Sequence, residues 1–322
     1  MNWPIGCFRK EVGFWDRKYL RICGVDILLR KKFRPEEVDR RISNALSWVC
    51  DVTKVPASKG RRRRFQEIEL LLLRAFDAIC RRSGIPYYLS DGTLLGAYRH
   101  GGFVPWDDDV DVSVPMSCRE AVQQALETAF EGTEFMLWGV DRSRWDATLR
   151  ISHRKFGFLD LDIFYPYAFT DAAGTREDIR RGWQSAREFY VREYKKMKRH
   201  ENRESLLRFR KGVDAHYASC VPGMVDLFDP AARCYTIGPF WHYFRLYPIE
   251  SLTPLGTIRF EGFEFPAPRD PYLYLRENYD VFAFPPRFDQ HGSAFTSFSD
   301  EDLDAAEKAV RELYDKVAKG EG

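Results

Sequence analysis

Alternating and helical patterns of apolar residues divide the chain into short strands and amphipathic helices. "PEEVDRRISNALSWVC" (35–50) and "FQEIELLLLRAFDAICRRSG" (65–84) have helical spacing, and the second ends in basic residues and a glycine. "DVDVSVP" (109–115) and "FGFLDLDIFYPY" (156–167) alternate between polar and apolar positions, which predicts strands.

The remaining elements are weaker but follow the same rules. Residues 1–34 are irregular or extended, with "VDILLRKKF" as a strand, and "VPASKGRRRR" (55–64) is a linker or the entry to a helix. Further predictions are a short strand "IPYYLS", helices over about 117–130, 175–221 and 300–318, and a hairpin within 247–268. Because several strands follow one another closely, we predict an α+β fold with a mixed sheet flanked by helices and added helical segments.

The acidic positions of the two alternating strands are the candidate catalytic groups. Residues i and i+2 of a strand project from one face, so Asp109 and Asp111 point together, as do Asp160 and Asp162. Carboxylates this close repel each other unless a cation lies between them, and Mg²⁺ prefers carboxylate and phosphate oxygens. The pattern therefore predicts a Mg²⁺ or Mn²⁺ site that serves phosphoryl transfer.

A glycine turn upstream is predicted to supply the phosphate-binding half of the site. Gly92 allows backbone N–H groups to approach a phosphate closely, and Thr93 adds a hydroxyl. Arg99 and His100 lie between this turn and the aspartates and are predicted to neutralise phosphate charge, with Arg150 as a further cation. The competing interpretation is that D-x-D is an exposed sheet edge and that G-T is an ordinary turn.

"GIPYYLSDGTLLGAYRHGGFVPWDDDVDV" (84–112) closely resembles the signature of the LicD family. This family of phosphocholine transferases is related to fukutin and fukutin-related protein and belongs to the nucleotidyltransferase fold superfamily. The superfamily pattern is a glycine followed by Ser, Thr or Gly, then an acid-x-acid strand, then a third acid on a later strand. The resemblance assigns the glycine motif to Gly92-Thr93, the acid-x-acid strand to Asp109-Val110-Asp111, and the third acid to Asp162. It is strong over 65–168 and moderate over 245–292, where Asp280 replaces the usual glycine and His291 follows two prolines.

The resemblance implies the transfer of a phospho-alcohol from a CDP-activated donor to a hydroxyl of a glycan or lipid-linked sugar, with release of CMP. Phosphocholine from CDP-choline and phosphoribitol from CDP-ribitol are family activities, and phosphoglycerol and phosphoethanolamine are conceivable. The acceptor would be a cell-surface glycan such as lipopolysaccharide, capsule or teichoic acid. The implied catalytic and metal-binding residues are Asp109, Asp111 and Asp162, and the implied outer partners are Asp107, Asp108, Asp160 and His291.

Two points of this implied site stay open at the level of sequence. Asp162 is predicted to accept the proton of the attacking hydroxyl, or it is a metal ligand only and Asp160 or His291 is the base. A choline group would require stacked aromatic rings. The candidates for this are Trp241, Tyr243, Phe244, Tyr247 and Phe284, with core packing as the alternative.

Two other functions compete with this prediction. A nucleotidyltransferase of the same fold would move NMP from an NTP to an acceptor and release pyrophosphate. An inert module would bind lipid or nucleic acid through the basic N-terminal arm. Because all three acids are present and no stacking-plus-basic RNA-binding motif occurs, the transferase is preferred and no nucleic-acid partner is expected.

Charge and composition bear on location. Residues 1–64 contain 17 Lys and Arg against 7 Asp and Glu, a net charge of +10, whereas the remainder has a net charge of −8. The arm, with Arg61–Arg64 and Arg30–Lys32, is predicted to contact anionic membrane lipid, or else it is a solvated face. No signal-type segment or apolar run of about 18 residues occurs, so we expect a cytoplasmic protein at the inner face of the membrane.

The seven cysteines are scattered without C-x-x-C spacing, which argues against a disulfide framework or a zinc site. The resemblance and the pattern of elements together predict four parts of the chain. They are the basic arm with a short helix (1–64), the nucleotidyltransferase core (65–168), a helical insertion on the acceptor side (169–240), and a C-terminal family segment that packs on the core (241–322).

Overall fold

The computed structural model describes residues 5–12, 15–22, 25–33, 35–138, 149–157, 159–197, 203–237, 245–285 and 298–320. The chain divides into two compact units. The first comprises Met1–Val55 with Phe282–Ser293, and the second comprises Pro56–Val281 with Ala294–Gly322. Each unit contains both helices and strands, so the predicted α+β class is confirmed.

The first unit contains an antiparallel sheet followed by a helix. Strands β1 (Ile5–Val12), β2 (Trp15–Ile22) and β3 (Val25–Phe33) pair in chain order, and β3 coincides with the predicted strand "VDILLRKKF". Helix α1 (Pro35–Val49) begins at the predicted proline. The segment before α1 is more regular than predicted, because β1 and β2 lack the clean apolar alternation that identifies a strand in sequence.

A five-stranded mixed sheet is the centre of the second unit. Its spatial order is β4 (Tyr88–Leu89), β5 (Val110–Ser113), β8 (Leu161–Phe164), β7 (Leu149–His153) and β6 (Phe135–Trp138). Strands β5 and β8 are parallel, and the other neighbouring pairs are antiparallel. The apolar positions of β5 and β8 are fully buried, so the alternation in the sequence identified both strands and their packed face.

The remaining strands of this unit form a smaller sheet and a hairpin. The smaller sheet is antiparallel, in the order β10 (Met224–Val225), β9 (Pro166–Phe169), β11 (Cys234–Ile237) and β12 (Tyr247–Pro248). The single strand predicted over 156–167 is therefore divided between β8 and β9, which belong to different sheets. The predicted hairpin is formed by β13 (Gly256–Phe260) and β14 (Phe263–Ala267).

The helices described in this unit are α2 (Gly60–Arg82), α3 (Asp91–His100), α4 (Arg119–Phe130), α5 (Arg176–Met197), α6 (Arg203–Cys220), α7 (Pro271–Leu275) and α8 (Asp300–Ala318). Helix α8 has the predicted bounds and begins with a capping box between Ser299 and Asp302. Helices α5 and α6 occupy the predicted helical segment and share a small core of their own, which includes Tyr190, Phe209 and Val213.

The segment predicted as a glycine turn is helical. Helix α3 begins directly after the short strand β4 and contains both Gly92 and Thr93. Its residues Leu94, Leu95 and Ala97 are all buried, so the helix is covered on more than one side. Such a helix lacks the one-sided apolar period by which a helix is recognised in sequence, which explains the wrong prediction.

Gly96 of α3 makes a close backbone approach that only glycine permits. A Cβ at this position would lie 2.5 Å from Gly102 O and 2.9 Å from Val104 N. Because the obstructing atoms are backbone, we expect Gly96→Ala to lower the free energy of unfolding by about 1–3 kcal/mol in urea denaturation. Gly157→Ala is the control, since a Cβ there meets nothing within 4 Å. Equal stability of the two variants would contradict this packing.

The arginine run at the start of α2 is not the free cationic patch that the sequence suggested. Arg61 pairs with Asp300, Arg62 donates to Trp106 O, Arg63 pairs with Glu67 and Glu261, and Arg64 pairs with Asp304 and Glu307. Acidic partners thus compensate three of these four arginines, and contact of this run with lipid stays a prediction. Their acidic partners on α8 lie up to 243 positions away in sequence, so local charge counting cannot detect them.

Candidate active site

Three aspartates meet on one face of the central sheet. In the parallel pair of β5 and β8, Asp111 lies directly opposite Asp162, and Asp109 stands two positions before Asp111 on the same side. Asp111 is 8% exposed and Asp162 is 2% exposed. The structure thus brings together the three carboxylates that the sequence singled out.

This concentration of carboxylates is electrostatically unfavourable without a cation. Burial raises the pKa of Asp109 well above its usual value, and the charges of Asp107 and Asp162 raise it further. Burial likewise raises the pKa of Asp111, with Asp109 and Asp91 as the next contributors. In the described part of the chain neither Asp109 nor Asp111 forms an ion pair with Arg or Lys. This oxygen-rich environment fits a hard divalent cation.

Arg150 compensates the third carboxylate. Its Nε lies 2.7 Å from Asp162 Oδ1 and its Nη2 lies 3.1 Å from Asp162 Oδ2, and the same Nε is 2.7 Å from Asp160 Oδ1. The guanidinium donates to both oxygens of Asp162. Within the described ranges, no group of three His, Cys, Asp or Glu side chains is arranged so that it could hold a metal ion. Asp109 and Asp111 are therefore the carboxylates open to a cation, and Asp162 is tied to Arg150.

The first turn of α3 holds Asp111 from both its backbone and its side chain. Gly92 N donates to Asp111 Oδ2 at 3.0 Å, Asp111 N donates to Thr93 Oγ1 at 2.8 Å, and Ser90 N donates to Asp111 O at 3.1 Å. The Gly92 N–H and the Thr93 oxygen, which the sequence assigned to phosphate, thus contact Asp111 of β5. Their direct role in binding phosphate stays a prediction.

The lack of a side chain at Gly92 makes room for two carboxylates. A Cβ at Gly92 would lie 2.8 Å from Asp107 Oδ2 and 3.3 Å from Asp111 Oδ2. These atoms end flexible side chains, so we expect Gly92→Ala to fold with nearly unchanged stability but to displace both carboxylates and lower turnover by about tenfold or more. Thermal unfolding and initial rates check this prediction. Unchanged turnover would show that the carboxylates do not need this space.

Arg99 and His100 lie at the other end of α3. Arg99 Nη1 donates to Val281 O at 3.0 Å, Arg99 Nε donates to His100 Nε2 at 2.9 Å, and the guanidinium lies 5.6 Å from the centre of the Trp106 ring. Burial lowers the pKa of Arg99 to about 10, opposed by Asp107. Burial and the Arg99 charge lower the pKa of His100 to about 4. Both effects favour the neutral imidazole of His100 in this structure, and a role for His100 at phosphate stays a prediction.

The loop between α3 and β5, residues 101–109, carries the acidic run and is held along its backbone. Gln66 Nε2 donates to Val104 O at 3.2 Å and to Asp107 O at 2.9 Å, and Arg62 donates to Trp106 O. From the hairpin, Glu261 Oε1 accepts the Phe103 N–H at 3.0 Å. Helix α2 and the β13–β14 hairpin therefore set the position of the acidic loop.

Sequence reasoning missed three polar residues of this region. Gln66 and Glu69 lie on the apolar face of α2, where Glu69 is fully buried and Glu69 Oε1 accepts the Asp160 N–H at 3.3 Å. Polar residues among the apolar positions of an amphipathic helix were the available signal. Asp91, 5% exposed at φ 42°, had no sequence signal beyond its place beside Gly92.

The structure describes only some of the remaining candidates, which are His291 and the aromatic residues considered for a choline group. His291, Trp241, Tyr243 and Phe244 lie outside the described residues, and Phe284 belongs to the first unit. Tyr247 stacks between Tyr235 and Tyr274, with ring centroids 5.0 Å and 5.3 Å apart. Both faces of the Tyr247 ring are covered, so the prediction that it stacks on a choline group is corrected.

Comparison with known proteins identifies the domain that carries this site. Residues 84–204 match the family described as LicD/FKTN/FKRP, nucleotidyltransferase domain. This segment of the chain is similar to the nucleotidyltransferase domain of the LicD family. The resemblance inferred from sequence is thereby confirmed over a segment that includes α3, β5, β8 and the aspartates.

Individual relatives of this LicD-family domain match over short stretches. The lipopolysaccharide cholinephosphotransferase LicD of Haemophilus influenzae is 44% identical over 71 residues, which cover 22% of this chain and 26% of that protein. The ribitol 5-phosphate transferase FKRP of Homo sapiens is 53% identical over 32 residues, 10% of this chain and 6% of that protein. The matches therefore span about a quarter of the first relative and much less of the second.

Proposed function

We propose that the protein is a metal-dependent transferase that moves a phospho-alcohol from a CDP-activated donor to a hydroxyl of a glycan or lipid-linked sugar and releases CMP. The observation that carries the proposal is the meeting of Asp109, Asp111 and Asp162 on paired strands of a LicD-family domain. The relatives named as cholinephosphotransferase and ribitol 5-phosphate transferase support a phospho-alcohol as the transferred group.

In this proposal Asp109 and Asp111 hold Mg²⁺ or Mn²⁺, and Asp162 borders the same space. A bound divalent cation would neutralise charge on the phosphate oxygens and on the departing CMP. The acceptor hydroxyl attacks the β-phosphorus of the donor in line. Arg150 pairs with both Asp162 and Asp160, so accepting a proton would weaken either ion pair. Asp162 is proposed to accept the hydroxyl proton, with Asp160 or His291 as the alternative bases.

The decisive test is the product released from a panel of donors. The protein would be incubated with Mg²⁺, a lipid-linked or oligosaccharide acceptor and each of CDP-choline, CDP-ribitol, CDP-glycerol and CDP-ethanolamine, and CMP would be measured by chromatography. We expect CMP from at least one donor and none after treatment with EDTA. Pyrophosphate from an NTP, without CMP from any CDP-alcohol, would favour the nucleotidyltransferase alternative.

We further propose that the acceptor lies at the cytoplasmic face of a membrane, with α5 and α6 on the acceptor side. Within the described ranges no helix is long and apolar enough to cross a bilayer. Support for membrane contact comes from residues 1–55, which contain 12 Lys and Arg against 7 Asp and Glu.

Binding of the protein to vesicles tests this contact. Each basic residue near an anionic surface contributes about 1 kcal/mol, and salt screens the attraction. We expect the protein to float with phosphatidylserine vesicles at low salt and to be released at high salt. Absence of binding at low salt would leave residues 1–55 as a solvated face.

A further inference from the structure

Helices α5 and α6 carry an excess of positive charge in an otherwise acidic part of the chain. Residues 176–220 contain 13 Lys and Arg against 7 Asp and Glu, whereas the rest of the chain after residue 64 contains 20 against 34. A local excess of one charge attracts ligands of the opposite charge. The acidic site lies on β5 and β8, so these cations belong to a different part of the domain.

An open cavity of about 450 Å³ lies along the second half of α5. Its volume is within the range of sites for small ligands. We call this cavity the α5 groove, and its described lining residues are Arg187, Glu188, Val191, Arg192 and Lys195. Residues four positions apart lie on one face of a helix, so Arg187, Val191 and Lys195 form a continuous row along the groove.

The α5 groove begins beyond the part of α5 that packs on the smaller sheet. Trp183 shares a core with Tyr167 and Phe169 of β9. Arg187 follows Trp183 by four positions, which is about 6 Å along a helix axis. Beyond this point α5 packs with α6 in the small core that includes Tyr190. The two cores fix both halves of the helix that carries the groove.

Aromatic rings position the two arginines of the groove. The Arg187 guanidinium lies 5.7 Å from the centre of the Trp183 ring, and the Arg192 guanidinium lies 5.2 Å from the centre of the Phe189 ring. Phe189 in turn stacks on His216 of α6, with ring centroids 4.1 Å apart. A guanidinium that rests on a ring face loses less freedom when it binds a ligand.

Two cations of the groove keep their charge for a ligand. Within the described ranges, Arg187 and Lys195 form no ion pair with an acid. The neighbouring Lys196 does form one, since its Nζ lies 2.8 Å from Glu193 Oε1. The described lining holds three cations against the single carboxylate of Glu188, so its net charge is positive.

From these observations we propose that the α5 groove binds a phosphate that is attached to a sugar of the acceptor. The inference rests on the proposed function, in which the phosphates of the donor contact the metal at Asp109 and Asp111. A second cationic site then serves the other substrate. An arginine fork pairs with two phosphate oxygens, and a lysine adds a point charge. Glu188 suits the hydroxyls of a sugar, because a carboxylate accepts hydrogen bonds.

A sugar phosphate of this kind has two sources in an acceptor. The phosphate is a substituent of the glycan, or it joins the first sugar to a lipid. The chemistry at Arg187 and Lys195 is the same in both cases. Glucose 1-phosphate is the probe for the first source, and farnesyl diphosphate is the probe for the second.

The binding test measures the dissociation constants of both probes by calorimetry with the full chain in EDTA. Without a divalent cation, the carboxylates of the acidic site repel phosphate, so binding there does not contribute. We expect the wild type to bind at least one probe, and the tighter probe indicates the source of the phosphate. No binding of either probe would overturn the inference. Inorganic phosphate that bound as tightly as both probes would do so as well, because the groove would then recognise a bare anion.

The variant Arg187→Gln with Lys195→Gln should weaken binding of the preferred probe about tenfold or more. Its matched control is Arg181→Gln with Lys196→Gln, which removes the same charge from α5 outside the groove, at side chains that are 67% and 64% exposed. The control should weaken binding less than about twofold. Lys195→Gln alone disturbs no ring contact and should weaken binding about threefold or more. Equal effects of the two double variants would show a general charge effect and refute the groove.

Kinetics separate this inference from the proposed function. In the CMP assay, Arg187→Gln with Lys195→Gln should raise the KM for the acceptor about tenfold and leave the KM for the donor unchanged. If the wild type releases no CMP from any donor, the proposed function fails, and the binding test in EDTA still decides whether the groove takes a sugar phosphate. If CMP is released but both KM values are unchanged in the variant, the groove does not bind the acceptor.

Discussion

Asp109→Asn and Asp111→Asn are each expected to lower turnover about 100-fold or more, which corresponds to about 2.7 kcal/mol of transition-state stabilisation. Asp111 is buried and Asp109 is half-buried beside other acids, and neither is paired with a cationic side chain in the described structure. They are therefore the groups that a divalent cation would use. Replacing either aspartate by asparagine removes one of the two negative charges that would hold the cation.

The same substitutions should leave the fold intact or make it more stable. Each removes one negative charge from a buried cluster in which like charges repel. In the absence of metal we expect a higher midpoint of thermal unfolding than in the wild type, and Mg²⁺ should raise that midpoint less for the variants. Asp315→Asn, at an exposed position of α8, is the control for a simple loss of charge. A variant that kept more than about a tenth of wild-type turnover would refute the metal assignment.

Arg150→Ala should cause the largest loss of stability, about 3–5 kcal/mol in urea denaturation. Arg150 forms two hydrogen bonds with the carboxylate of Asp162, whose side chain is 3% exposed, and it also pairs with Asp160. Without the Arg150 guanidinium, Asp160 and Asp162 would lie next to Asp109 and Asp111 and would lose the positive charge that pairs with them. The folded state must then accommodate four neighbouring carboxylates without the positive charge of Arg150.

Two further variants make this prediction specific. Arg154→Ala, at the exposed position directly after β7, should change stability by less than about 0.5 kcal/mol. The double variant Arg150→Ala with Asp162→Asn should recover part of the loss, because it also removes the charge of an acid that Arg150 pairs with. If Arg150→Ala were no more destabilising than Arg154→Ala, the pair with Asp162 would contribute little to the folded state.

Local periodicity was sufficient to predict the strands that carry the catalytic candidates. In β5 and β8 the valines, leucine and isoleucine alternate with acids, and the structure buries the former and gathers the latter on one face. The bounds of α8 followed from its acidic start and its apolar spacing. In each case the physical cause acts within a few residues, so the sequence of the element contains it.

The features that escaped prediction depend on distant parts of the chain. Helix α3 was taken for a turn because it is buried on several sides, which removes the one-sided pattern. The arginine run of α2 has partners on α8 and on the hairpin, far away in sequence. The positive φ of Asp91 is set by the packing around it and cannot be read from residue type.

The anchoring of loop 101–109 has a consequence for the order of folding. Its backbone is fixed by α2 and by Glu261, which lies 158 positions beyond Phe103. Contacts over such distances form only after long stretches of chain have closed, and they slow folding. The aspartates should therefore reach their working positions late, once α2 and the hairpin have packed. Segment 84–204, the part that matches the family, contains neither anchor, so on its own it would carry the candidate catalytic residues without the scaffold that aligns them.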